Sequence, residues 1–417
     1  MKAIMAISLF SMVLSGFLIL LTASEALSLE LKAGASKKII TPQMSVYLAG
    51  LGDEPRISNG VHDDIYARCL LLDDGKTKIG FVSLDIIGLP RDYVLGIRQT
   101  LKEKGINGEN IVLTCTHQHS GPDTLGLWGP HDPPKSGIIP GYMEFLCKQV
   151  VDAILEANKN MQKASLKIAS IQVPEGVSEN SREPELIDRE LSLIKVDSTS
   201  GKTIATLINF TAHPETLWTE SLLITSDYPA YIYRDVEKAF GGVTVFVNGA
   251  LGGMVSVDAK EHTFEEAERI GSTVAQKAIE SAQKAEIQKN VKIKFRKVNL
   301  EIPLENEDFL KLSETKILQG NSFTGGKVHT EVNLIKIGDA EIATFPGEVL
   351  PKLGFKVKNA MKSKYKFVFG VANDELGYIL AEEDFNRDLY RYEKSMSVGS
   401  KIGTITTEAL LKLISTP

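Results

Sequence analysis

Two histidines one residue apart, His117 and His119, follow the apolar run Ile111-Val112-Leu113 and precede the turn pair Gly121-Pro122. Alternation along a strand puts positions i and i+2 on one face, so both imidazoles can look at one point from a strand's end. Neutral imidazole is the commonest zinc donor, and a catalytic zinc takes three protein ligands and keeps a position for water. The chain has only 7 histidines, and a third, His213, repeats the setting: an apolar run from Leu207 to Phe210 ends in His213-Pro214. Ile342 to Phe345 leads in the same way into Pro346-Gly347-Glu348, and Phe367 to Val371 into the segment Asn373 to Tyr378. Four apolar runs thus deliver His117, His213, Glu348 and Tyr378 at their ends, where ligand sites of open α/β sheets lie. A metal centre is the hypothesis such a set raises.

The elements that must position these residues follow from pattern. Asp63 to Leu72 and Ile79 to Asp85 flank Asp73-Asp74-Gly75, a hairpin signature. Arg91 to Lys104 has helical spacing with Gly105 where a C-cap glycine belongs. Residues 123–141, rich in Gly and Pro and containing Trp128 and His131, read as a long loop beside the site. Helices are predicted from about Tyr142 to Asn158, Pro229 to Phe240, Phe264 to Ala285 and Thr406 to Ile414, and residues 290–340 read as strand-rich. Strands alternating with helices predict an α/β fold, a mixed-sheet catalytic domain with the metal site at strand ends.

The 53 acidic against 47 basic residues leave no basic patch, which excludes nucleic acid as the natural partner. Three cysteines, Cys69, Cys115 and Cys147, allow at most one bridge, and Cys115 reads as a small buried apolar side chain. Lys2, the uncharged run Ala3 to Ser24 and the ending Ser24-Glu25-Ala26 have the layout of a signal peptide over residues 1–26. The run is also nearly long enough for a signal anchor. Either way the body is expected to be secreted or extracytoplasmic. Removing 26 of 417 residues leaves 391, ample for a large core.

Taken together and in order, these motifs resemble the catalytic domain of the neutral (non-lysosomal) ceramidases. The resemblance rests on Thr116 to Pro122, His213-Pro214, Pro346 to Glu348, and Asn373 to Tyr378 with the Tyr-Glu stretch after it. It implies one zinc per chain held by His117, His213, Glu348 and Tyr378, with His119 as the proton-transfer group. It further implies that Arg182 and a tyrosine steady the oxyanion formed when zinc-activated water attacks an amide. That tyrosine falls on Tyr390 without a gap, or on Tyr392 beside Glu393; Tyr390 is preferred. A family serine aligns with Ser256, although its neighbouring Asp and Pro are missing here. The resemblance covers 27–417 as a catalytic domain, without the β-sandwich domain that follows it in animal and bacterial members. Its implied partner is a lipid amide, N-acyl sphingosine in the family, drawn from a membrane surface.

Competing readings are an amidase or esterase for another lipid or N-acyl compound, and a catalytically silent lipid- or glycan-binding envelope protein. The silent reading expects a lost ligand, yet all are present. Taken singly, the residues have plainer roles. Asp227 is read as a helix N-cap, Arg182 competes as a surface ion pair among Glu183, Glu185 and Asp188, and the sequon at Asn209 falls in a buried strand.

Overall fold

The computed structural model describes residues 30–416 apart from Asp53 and Ser322. The predicted signal segment lies outside the described residues. From Leu31 onward the chain is one compact unit.

Eight strands form the larger sheet. In chain order they are β1 Lys32–Ile39, β2 Tyr66–Asp73, β3 Lys78–Leu84, β4 Ile111–Cys115, β5 Gln162–Gln172, β6 Glu190–Ser198, β7 Thr203–Phe210 and β8 Val243–Asn248. Their order across the sheet is β8-β7-β6-β5-β1-β2-β3-β4. Both edge pairs, β3 with β4 and β7 with β8, run parallel, and the central pairs are antiparallel. The predicted hairpin is β2–β3, with Asp73 opposite Lys78. Four more strands, β9 Ile293–Pro303, β10 Lys327–Ile337, β11 Ala340–Thr344 and β12 Tyr365–Phe369, run in that order through a second sheet, with β11 and β12 parallel and the short strand Phe323–Thr324 added alongside β10.

The mixed-sheet α/β fold expected from the sequence is present, and its two large sheets pack face to face. Phe81, Ile194 and Leu207 of the first meet Ile342, Phe367 and Phe369 of the second. The rings of Phe81 and Phe369 cross edge to face at 5.8 Å. Both sheets are therefore buried on two faces, which is why their central strands read as apolar runs rather than alternating ones.

Helices cover the outer faces. Helices α1 Arg91–Glu103 and α2 Tyr142–Lys159 pack on one end of the larger sheet, α3 Tyr228–Phe240 and α4 Phe264–Lys284 on the other. Helices α5 Glu307–Glu314, α6 Pro351–Ala360 and α7 Ile402–Ser415 cover the second sheet. Helix α5 lies within the stretch read as strand-rich; the Asn306 side chain caps it by accepting from the amides of Asp308 and Phe309. Asp227 is the N-cap of α3, as the sequence suggests, accepting from Tyr228 N. Asn209 is buried in β7, its amide donating to Val247 O. All three cysteines are free, and Cys115 is buried. Among the described residues no helix is long and apolar enough to cross a membrane.

Candidate metal and active site

His117 stands two residues past β4 and His213 three past β7, at the carboxyl ends of strands with parallel neighbours. Asn248, the last residue of β8, ties the two loops together. Its amide donates to Thr116 O at 3.0 Å and Ala212 O at 2.8 Å, while its oxygen accepts from Ala212 N at 3.2 Å. Glu348 and Tyr378 arrive from the second sheet, paired with each other in a short parallel ladder. The site thus forms where the ends of both sheets meet.

His117 has a positive φ of 64°, a strained conformation for a non-glycine residue and one that clusters at functional sites. Its Nδ1 lies 2.6 Å from Ile87 O, and His213 Nδ1 lies 2.8 Å from Val255 O. A ring nitrogen facing a carbonyl carries the proton, so in the neutral imidazole each Nε2 keeps a lone pair. Both lone pairs aim at one carboxylate oxygen: Glu348 Oε2 is 2.9 Å from His213 Nε2 and 3.4 Å from His117 Nε2. Acceptors facing acceptors in a buried site need a cation among them. Burial pushes Glu348 up, but the two imidazoles outweigh it and hold the carboxyl well below the usual range. Burial likewise depresses His117, and Glu348 outweighs it, so that His117 ends raised.

His119 completes a buried triangle, with ring centroids 5.2 Å from His117 and 5.6 Å from His213. The three imidazoles can offer one nitrogen each within 4.8 Å of one another. Neither ring nitrogen of His119 makes a hydrogen bond, although Nδ1 lies 3.2 Å from Glu215 Oε2. Burial lowers its pKa to about 4. Glu215 also accepts from the hydroxyl of Ser256. Burial pushes Glu215 up, but His119 and His213 outweigh it and hold the carboxyl at about 2. Gly50 makes room for the His119 ring: a Cβ there would meet His119 Cγ at 2.3 Å, and its φ is +91°. Arg56 braces the same corner, donating to the carbonyls of Ala49 and His119 at 2.6 and 2.7 Å.

Two spaces open on this cluster. A mainly apolar cavity reaches in past Ile87, Leu125 and Leu376. A wider, more polar cleft is walled by Ser181, Arg182, Glu215, Trp218 and His262. His119, Tyr378 and Tyr392 line both, as does Trp128 from the 123–141 loop. His131 of that loop is exposed.

The structure brings together His117, His119, His213, Glu348, Tyr378 and Arg182. The Arg182 guanidinium is held at 2.7 Å by the buried Glu393, a specific clamp rather than the surface pairing the sequence also allows. Ser256 stands in the cleft wall with its hydroxyl committed to Glu215. Tyr390 is not at the cluster: its hydroxyl donates to Glu183 at 2.6 Å, and it lines neither space. Tyr392 lines both. Two residues along a helical turn rotate a side chain by roughly 200°, so a two-residue difference in alignment chooses opposite faces. Sequence reasoning missed Glu215, which lies two residues past His213 in the same turn, and Arg56, which nothing in its neighbourhood marks.

Residues 32–255 match the family described as neutral/alkaline non-lysosomal ceramidase, N-terminal. The chain belongs to this family. The match includes His117, His119 and His213 and stops before Glu348. Among curated relatives, neutral ceramidase A of Dictyostelium discoideum is 23% identical over 224 residues, covering 49% of this chain and 31% of that protein. Neutral ceramidase of Drosophila melanogaster is 21% identical over 228 residues, covering 50% of this chain and 32% of that one. The chain therefore spans about a third of the length of the curated relatives it matches. The crystal structure of neutral ceramidase from Pseudomonas aeruginosa superposes with a TM-score of 0.74 at 19% identity, covering 93% of this chain and 73% of that one. The ceramidase-family fold thus extends through the second sheet, beyond the part of the chain that sequence comparison reaches.

Proposed function

We propose that this protein is a zinc-dependent amidase that hydrolyses N-acyl sphingoid bases (ceramide) to fatty acid and sphingosine. The observation that carries this reading is the meeting of the His117 and His213 Nε2 atoms at one Glu348 oxygen, beside a buried His119 whose Nδ1 lies 3.2 Å from Glu215. That donor set, two neutral imidazoles and a carboxylate, suits zinc, and Tyr378 from the adjoining strand would complete it. Held there, zinc supplies a Lewis acid that polarises the amide carbonyl and lowers the pKa of water to about 7.

The chain's own residues do the rest. His119 is free to take a proton from water at one ring nitrogen and to return it to the leaving amine nitrogen, which cannot depart unprotonated. Glu215 stands at its Nδ1 and favours the imidazolium formed in between, with Ser256 fixing the carboxylate. Arg182, clamped by Glu393, and the hydroxyl of Tyr392 are the donors for the oxyanion, in place of Tyr390. The amide sits on the wall common to the two spaces, its acyl chain in the apolar cavity and its amine arm in the polar cleft. A membrane surface is the natural source of such a substrate, and the N-terminal apolar run fits an extracytoplasmic protein.

The test is hydrolysis of N-acyl sphingosine by the full chain, with metal analysis and His117→Ala as control. Zinc near one per chain and activity lost in the variant are expected. Zinc without cleavage would move the substrate to another N-acyl lipid, and no zinc at all would overturn the site.

A further inference from the structure

Glu375 is buried, 5% exposed, and lines the apolar cavity together with His117 and Glu348. One of its oxygens, Oε1, accepts from Gly377 N at 3.0 Å; the other, Oε2, has no partner. Its neighbour Asp374 is satisfied, accepting from the amides of Arg91 and Glu375 at 3.1 and 2.9 Å. The stem of Glu375 is wedged against Gly88, where a Cβ would come within 2.6 Å of Glu375 Cγ. That contact closes one side of the Glu375 stem. An unpaired buried oxygen costs about 1–3 kcal/mol, so a side chain held in this way calls for a ligand that satisfies it. A hydroxyl can donate to the open oxygen of a carboxylate or accept from a protonated carboxyl, so it fits either form of the side chain.

We propose that Glu375 is a specificity-determining residue that hydrogen-bonds a hydroxyl carried by the substrate's acyl chain near its carbonyl. This rests on the reading that the apolar cavity takes the acyl arm of an amide. The amine arm has its own polar groups in the cleft, among them Arg182, Glu215 and His262. An acyl chain without the hydroxyl leaves Oε2 unpaired in the bound state. Sites built around one hydrogen bond discriminate in just this way, by stranding a buried partner.

The experiment measures binding of tetradecanoic acid and of its 2-hydroxy and 3-hydroxy derivatives by calorimetry. Zinc-supplemented wild type is compared with Glu375→Gln and Glu375→Leu. Wild type is expected to bind one of the hydroxy acids about 10–100-fold more tightly than the plain acid. Glu375→Gln keeps part of that preference, and Glu375→Leu abolishes it while binding the plain acid at least as well. Equal binding of all three acids by wild type, a preference that survives in Glu375→Leu, or no binding of any acid overturns the proposal. A parallel hydrolysis assay uses the matching N-acyl sphingosines. The binding preference with no cleavage would sink sphingosine as the amine arm and leave Glu375's role standing; cleavage with no preference would do the reverse.

Discussion

Two buried polar clusters lie close together in this fold, and they are built on opposite rules. Around Glu331 of β10, Arg98 of α1 donates a fork of two bonds at 2.8 Å each, and Arg91 adds a third contact at 2.6 Å. Asn373 joins them, donating to Glu331 at 3.0 Å and to Asn333 at 2.7 Å while accepting from Leu113 N at 2.9 Å. Positive charge meets negative, and of these donors only Arg98 Nε is left without a partner. A few residues away, at His117, His213 and Glu348, acceptors meet acceptors, and His119 has no hydrogen bond at all. The same segment serves both: Asn373 belongs to the first cluster, and Tyr378 lines the second. A saturated cluster has finished its work when the chain folds. The other has a donor set that suits a metal ion.

The contrast is sharpest under deletion. His213→Ala should remove zinc and lower hydrolysis by at least about 10⁴-fold, with a folded protein left behind. Metal content, activity and thermal unfolding of the same preparation check this; a variant that keeps its zinc would break the comparison. Arg98→Met should do the reverse. It removes the forked partner of the Glu331 carboxylate, leaving Arg91 and Asn373, and should cost about 3 kcal/mol of stability, read as a shifted urea midpoint, while zinc stoichiometry is unchanged.

The saturated cluster also has a pH signature. Burial pushes Glu331 up, but Arg98 and Arg91 outweigh it and hold the carboxyl at about 2, below its ordinary 4.5. The unfolded chain then binds the extra proton first as pH falls. The stabilisation, about 3 kcal/mol, is whole above pH 4.5 and is lost as pH drops toward 2. Urea midpoints measured across that window should fall for wild type and fall less for Arg98→Met. Parallel slopes would mean that other carboxylates carry the acid sensitivity.

Much of this was legible in the sequence, for a physical reason. Strands buried on both faces read as unbroken apolar runs, so the polar residue that ends each run stands out; His117, His213, Glu348 and Tyr378 are all of this kind. The helices announce themselves by periodicity and caps, as α3 does through Asp227. What the sequence did not disclose are relations between distant segments. A second sheet facing the first depends on pairings such as Phe81 with Phe369, nearly three hundred residues apart. Glu215 looks like an ordinary turn acid until His119 and Ser256 are placed on it, and Glu375 looks solvated until the cavity closes around it.

The two tyrosines give the finest test of the same contrast, because they lie two residues apart in sequence and on opposite sides of the rule. Tyr390 is satisfied: its hydroxyl donates to Glu183, and Arg387 lies 5.1 Å from its ring centroid. Tyr390→Phe should therefore cost about 1 kcal/mol of stability and leave kcat alone. Tyr392 has 48% of its surface exposed, a ring 5.8 Å from that of Tyr378, and a place on both the cavity and the cleft. Burial of its hydroxyl end raises its pKa to about 12, so it stays a donor throughout the working range. If it steadies the oxyanion, Tyr392→Phe should lower kcat by about 10²-fold with KM little changed, since the contact forms only as charge develops on the carbonyl oxygen. A fall in kcat with Tyr390→Phe and none with Tyr392→Phe would restore the ungapped alignment and require the 388–395 turn to rotate when substrate binds.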